Sequence, residues 1–205
     1  MKKFIINKCM NYIKKTNNYN EIQLKEIEYG ITSVYLTISK MIFILFLSIV
    51  LNIFKEVIIF MICFNIIRTV GFGLHATKSW ICWISSTIAF VLVPFICIYL
   101  NVNYYILQVA FLINVLLIFK NAPADTKKRP IVNRKKRNLY KFMATMISIG
   151  YSVIAIIDGN NFMSNCLIFS LILENILISP LTYKLFKLPY NNYIDFLKKH
   201  PDFTY

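Results

Sequence analysis

Lys40-Met41-Ile42-Phe43-Ile44-Leu45-Phe46-Leu47-Ser48-Ile49-Val50-Leu51 sets one charge at the head of an apolar run in which Ser48 is the only polar side chain. Extended to 31–53, the stretch is long enough to cross a hydrocarbon core of about 30 Å, which takes roughly 20 helical residues. Working outward along the chain, the stretches 57–74, 80–100, 104–119, 140–157 and 162–183 read the same way. The spans at 104–119 and 140–157 are short, but each carries residues suited to a lipid–water boundary: Tyr104, Tyr105 and Lys120 on the first, Tyr140 and Lys141 on the second. The sequence therefore predicts an all-α polytopic membrane protein of about six transmembrane helices, forming a single membrane domain over 1–205.

Composition supports lipid as the solvent. The chain of 205 residues is 58% hydrophobic and 16% charged, whereas soluble domains are about half apolar and a quarter charged. Its charges are segregated. Lys2, Lys3, Lys8, Lys14, Lys15 and Lys25 precede the first span; the basic loop 120–141 holds Lys120, Lys127, Lys128, Arg129, Arg134, Lys135, Lys136, Arg137 and Lys141; Lys184, Lys187, Lys198 and Lys199 follow the last span. The opposite side receives Lys55 beside Glu56, then Asn101-Val102-Asn103, then Asp158-Gly159-Asn160-Asn161. Positive residues are retained on the cytoplasmic side, so both termini, the basic loop and the connection 74–80 are expected there. The net charge of +14 follows largely from this rule and from attraction to anionic lipid, so nucleic acid is not needed to explain it.

The first residues lack an uninterrupted apolar core and a small-residue cleavage site, so a removable signal peptide is not expected. Phe4 to Lys15 is apolar and basic in patches, as in a helix lying in the interface plane, or in a solubilising leader. Cys9, Cys63, Cys82, Cys97 and Cys166 are odd in number and widely spaced, which argues against a disulfide framework.

Chemistry concentrates in Arg68-Thr69-Val70-Gly71-Phe72-Gly73-Leu74-His75-Ala76-Thr77-Lys78-Ser79-Trp80-Ile81-Cys82, which brings an imidazole and a thiol to one membrane boundary. In a continuous helix His75 and Cys82 would stand about 10.5 Å apart along the axis, so proton transfer between them requires a break. Gly71 and Gly73 weaken the end of the second span, and Thr77 or Ser79 can cap the third. Cys82 then falls in a first helical turn, where the dipole favours a thiolate, and Lys78 can add to the effect or simply obey the charge rule. Burial of an ordinary cysteine is the competing explanation. With neither a His-Glu-x-x-His nor a paired Cys-x-x-Cys motif, a zinc enzyme is disfavoured and no metal or other cofactor is expected.

Arg68, Gly71 and the stretch from His75-Ala76 to Cys82 resemble the signature of the AgrB family of accessory gene regulator proteins. Asn121-Ala122-Pro123-Ala124-Asp125-Thr126-Lys127-Lys128-Arg129-Pro130-Ile131 is similar to a second motif of that family, Ala-Pro-Ala-Asp followed by a basic run and Pro-Ile. The resemblance implies a membrane-embedded cysteine endopeptidase that matures a quorum-sensing peptide precursor, with His75 as base and Cys82 as nucleophile. It further implies an AgrD-like precursor with an acidic C-terminal tail as partner, closure of a thiolactone ring, and a homodimer. By the same resemblance Lys127, Lys128 and Arg129 take part in processing, either by contacting substrate or by fixing topology.

Three charges inside apolar runs need partners: Lys40, Arg68 and Glu174. Counting from the membrane faces puts Lys40 and Glu174 near mid-depth, where they are expected to pair. Arg68 is expected to bind substrate, to orient the site, or to form a structural ion pair. Two rival functions use the same residues: a peptide or ion transporter with Lys40, Arg68 and Glu174 along its pathway, and a non-catalytic scaffold whose basic loop recruits acidic partners.

Overall fold

Helix boundaries follow from side chains that can be named. The computed structural model describes residues 2–16, 19–74, 79–100, 102–127, 130–159 and 161–199. The first helix, α1 (Lys2–Thr16), buries Ile6 and Met10, which lie one turn apart, and packs on α2. α2 (Glu21–Val50) starts well before the expected position 31 because Asn20 and Gln23 form a capping box: the Asn20 Oδ1 accepts from the Gln23 amide at 2.8 Å, and the Gln23 Oε1 from the Asn20 amide at 3.0 Å.

α3 (Phe54–Gly71) and α4 (Ser79–Tyr99) follow. Within α4 the turn Ile88–Leu92 is π-helical, just ahead of Pro94, which has no amide to continue the regular ladder. α5 (Tyr104–Asn121) is capped by the Asn103 side chain. α6 (Arg134–Asp158) is capped by Asn133, whose Oδ1 accepts from the Lys136 amide at 3.0 Å. The basic stretch expected to be loop through 141 is therefore helical from Arg134 onward. α7 (Phe162–Ile178) does not continue to 183: Ser179 and Pro180 break it, and a short α8 (Pro180–Leu185) restarts with proline in its first turn. α9 (Asn192–Lys199) closes the described chain.

Four of these helices, Glu21–Val50, Ser79–Tyr99, Tyr104–Asn121 and Arg134–Asp158, are long and apolar enough to cross a membrane. They leave broad apolar flanks uncovered, such as Ile106, Val109, Leu112, Ile113 and Leu116 along α5, as befits a membrane protein. α3 and α7 differ from them: α3 carries Lys55, Glu56 and Arg68, and α7 is shorter. The two pack against each other at the centre of the bundle, with α5 and α6 also against α7, so protein surrounds the polar side chains Ser164, Asn165, Ser170, Glu174 and Asn175 of α7.

The central core joins Ile67, Leu107, Phe111, Ile118, Leu171 and Ile178 from α3, α5 and α7. Hydrogen bonds between helices supplement this packing where water is excluded. The Tyr151 hydroxyl donates to the Cys63 carbonyl at 2.6 Å, Asn175 Nδ2 to Asn114 Oδ1 at 2.7 Å, and Asn165 Nδ2 to the Leu100 carbonyl at 2.8 Å. All five cysteines are free thiols, and Cys63, Cys97 and Cys166 are packed inside.

Candidate functional site

α3 stops at Gly71 because the next residues must turn sharply between two neighbours. A Cβ at Gly71 would fall inside contact distance of the Glu174 carboxylate, 3.0 Å from its Cδ. Gly73 has φ +90°, and a Cβ there would lie 2.7 Å from the Leu177 carbonyl oxygen. Between them Phe72 holds φ +60°, a costly conformation for a bulky residue, with its ring edge-on to Tyr140 at a centroid distance of 4.9 Å.

Arg68 ties this turn together. Its guanidinium donates to the Phe72 carbonyl, to the Leu74 carbonyl at 2.6 Å, and to Glu174 Oε2 at 3.4 Å, and Glu174 is fully buried. The Leu74 amide donates to the Leu177 carbonyl at 3.0 Å. The chain thus reaches position 75 from a firmly held Leu74. His75 lies outside the described residues, as do 76–78.

Two sequence motifs meet at this turn. Ala124 donates its amide to the Gly71 carbonyl at 3.0 Å and accepts from the Gly73 amide at 2.8 Å, so the Ala-Pro-Ala-Asp segment runs alongside Phe72 as a short parallel bridge. The Ala122–Pro123 peptide is cis. Asp125 is buried, and its carboxylate accepts from the amides of Asn192 at 2.9 Å and Tyr193 at 2.8 Å, at the start of α9. Its carbonyl accepts from the Tyr183 hydroxyl at 2.9 Å. Burial pushes the Tyr183 and Tyr190 phenols above their ordinary range, and the charge of Asp125 adds to this in both.

Of the basic run, Lys127 is exposed beside this knot, while Lys128 and Arg129 lie outside the described residues. A cavity of about 280 Å³ opens between Phe72, Pro130, Ile131, Val132, Asn133, Lys136 and Tyr140. A larger one, about 520 Å³, adjoins it at Asn133, Arg134, Lys135 and Asn138.

Cys82 stands in the first turn of α4, half-buried. Lys40 Nζ approaches its sulfur to 3.8 Å and donates to the Ser86 hydroxyl at 3.1 Å. Phe43 and Trp83 pack beside them, ring centroids 4.4 Å apart. The expected Lys40–Glu174 pair is therefore not formed. Span counting set Glu174 near mid-depth because it ran the sixth span to 183; α7 ends at Ile178, so Glu174 lies one turn from its end and faces α3 and Arg68, whereas Lys40 on α2 faces α4. Sequence reading missed the approach of Lys40 to Cys82; its only signal was an uncompensated lysine in an apolar run. Among the described residues no group of three His, Cys, Asp or Glu side chains is placed to hold a metal ion.

Comparison with known proteins is consistent across the chain. Residues 6–178 match the family described as Accessory gene regulator B. A protein named AgrB-like from Clostridium acetobutylicum is 33% identical over 175 residues, covering 85% of this chain and 84% of its own. Accessory gene regulator protein B of Staphylococcus aureus strain Newman is 30% identical over 179 residues, covering 87% and 93%. The protein of that name from strain MRSA252 is 32% identical over 147 residues, covering 70% and 79%. No solved structure matches.

Proposed function

The chain belongs to the accessory gene regulator B family, and from that premise we propose that it is a membrane-embedded cysteine endopeptidase that cleaves the precursor of a peptide pheromone. The observation that carries the reading is the placement of Cys82: a half-buried thiol in the first turn of an apolar helix, with an ammonium group 3.8 Å from its sulfur. The helix bearing it is described from Ser79 onward, and His75, the proposed base, lies outside the described residues.

His75 takes the thiol proton, and the Cys82 thiolate then attacks the carbonyl carbon of a precursor peptide bond. A carbon–sulfur bond forms, the carbon–nitrogen bond breaks, and the imidazolium returns its proton to the departing amine. The N-terminal part of the precursor stays on Cys82 as an acyl-thioester. A cysteine thiol within that part gives its proton to His75 and attacks the same carbonyl. The new thioester closes a thiolactone ring while the bond to Cys82 breaks, and the enzyme thiol is restored. One thioester replaces another, so this step is nearly balanced, and positioning and exclusion of water decide between ring closure and hydrolysis. Backbone amides at the start of α4 are the candidates to stabilise the oxyanion.

The topology that serves this chemistry has six spans, adding α3 and α7 to the four longer apolar helices, with both termini and the active site on the cytoplasmic side of the cell membrane. An AgrD-like precursor enters from that side. Arg134, Lys135 and Lys136, beside the two cavities, and the exposed Lys127 offer basic groups for an acidic tail; Lys128 and Arg129, the other residues of the substrate-binding reading, lie outside the described residues. A homodimer belongs to the same proposal. Arg68 serves the site by holding Phe72 and Leu74 in place. The transporter reading has less support, because Arg68 and Glu174 are engaged with each other and Lys40 lies apart from both.

Co-expression with a precursor peptide, followed by mass spectrometry of wild type, His75→Ala and Cys82→Ser, tests the reading. A shortened peptide or an acyl adduct on Cys82 in the wild type alone is expected. Equal processing by all three chains would remove both residues from the mechanism.

A further inference from the structure

Lys40 sits in an apolar helix and, among the described residues, its ammonium meets no carboxylate; its hydrogen-bond partners are the Ser86 hydroxyl at 3.1 Å and the Cys82 sulfur at 3.8 Å. An ammonium in such a setting is expensive unless an anion compensates it. A neutral thiol is a weak acceptor and compensates little, whereas a thiolate is a full counter-charge.

The approach is built from more than one contact. Ser86 lies one turn after Cys82 on the same face of α4 and holds the ammonium from the side away from the helix start. Phe43 lies about one turn after Lys40 on α2 and packs on Trp83, the residue next to Cys82, so α2 and α4 are registered at this level. Arg68, near the end of α3, is by contrast occupied by Glu174 and by two carbonyls.

We propose that Lys40 is a further catalytic residue of the site, its ammonium pairing with the Cys82 thiolate before attack while Ser86 fixes its position. The pairing rests on the reading of Cys82 as nucleophile. It also accounts for a lysine at a level of α2 where, among the described residues, no carboxylate meets it. His75 remains the proton acceptor; Lys40 gives the anion a place to form and keeps the sulfur aimed away from the lipid-facing flank of α4.

The test is pulse alkylation with iodoacetamide of the full-length protein in membranes, with the Cys82 adduct quantified by peptide mass spectrometry, alongside precursor cleavage. Lys40→Met and Lys40→Gln are expected to slow alkylation at neutral pH by about tenfold or more, because the thiolate is the reacting form. Cleavage should fall in parallel, and Lys40→Arg should retain most of both. Lys40→Gln keeps a donor for Ser86, so its packing is guarded. Wild-type alkylation and cleavage in both neutral variants would overturn the proposal, and so would equal losses in Lys40→Arg, which keeps the charge; the lysine would then be merely structural. Cleavage that persists in Cys82→Ser would instead overturn the peptidase reading itself.

Discussion

Replacing Gly71 by alanine should destabilise the protein, although alanine is the better helix former. Propensity alone favours alanine by about 0.5–1 kcal/mol in a helix interior. Against it stands the Glu174 carboxylate, which occupies the space the new methyl group needs and is itself fully buried. Overpacking of this kind costs about 1–3 kcal/mol. If the carboxylate is expelled, Arg68 also loses its counter-charge, a loss of about 3–5 kcal/mol for a fully broken buried pair. With partial relaxation the net effect is about 2 kcal/mol, or roughly 4–8 °C in unfolding midpoint for a chain of this size. Gly150, in α6, supplies the control, because an added Cβ there meets nothing within 4 Å. Thermal unfolding of the purified protein in detergent should therefore place Gly71→Ala below wild type and Gly150→Ala level with it or above. In a Glu174→Ala background the obstacle is gone, and Gly71→Ala should then cost little. Additive losses in the double variant, or equal midpoints for the two alanines, would refute the argument.

Asp125→Ala removes the acceptor for the Asn192 and Tyr193 amides, so α9 should fray at a cost of about 1–2 kcal/mol, read as faster chymotrypsin cleavage within 190–199 with little change in the midpoint of the bundle. Tyr151→Phe deletes the bond from α6 to the Cys63 carbonyl and should lower stability by about 0.5–1.5 kcal/mol in the same detergent assay, while leaving precursor cleavage intact. Double-mutant cycles should find coupling between Arg68 and Glu174 but none between Lys40 and Glu174, since only the first two touch.

Apolar run length was enough to place the long helices, because each must bury or expose an apolar surface along its whole length. It failed at ends where a helix outlasts its apolar stretch: Asn20 with Gln23 starts α2 among polar residues, and Asn133 starts α6 inside the basic run. The break at Gly71 was legible because glycine acts through its own backbone, whereas the sixth span was expected to run to 183 and instead stops at Ile178, ahead of Pro180. Which charge faces which was not legible either, as Lys40 and Glu174 illustrate: the early stop leaves Glu174 one turn from its helix end, and azimuth depends on how helices pack. The burial of Asp125 was also hidden, since its partners are main-chain amides at 192 and 193, which carry no side-chain signature.

The grip of Asp125 on those amides has a consequence for the tail it holds. The family match ends at residue 178, so a residue inside the shared region anchors a segment beyond it. Every amino acid except proline presents such an amide, so these two bonds by themselves read no side chain. The letters are read beside them, where Asn192 Nδ2 donates to the Asp125 carbonyl at 3.3 Å and to the Pro189 carbonyl at 2.9 Å and the Arg137 guanidinium lies over the Tyr193 ring. The socket accepts any backbone but is keyed to an amide side chain and an aromatic ring, so a tail lacking both should dock less firmly.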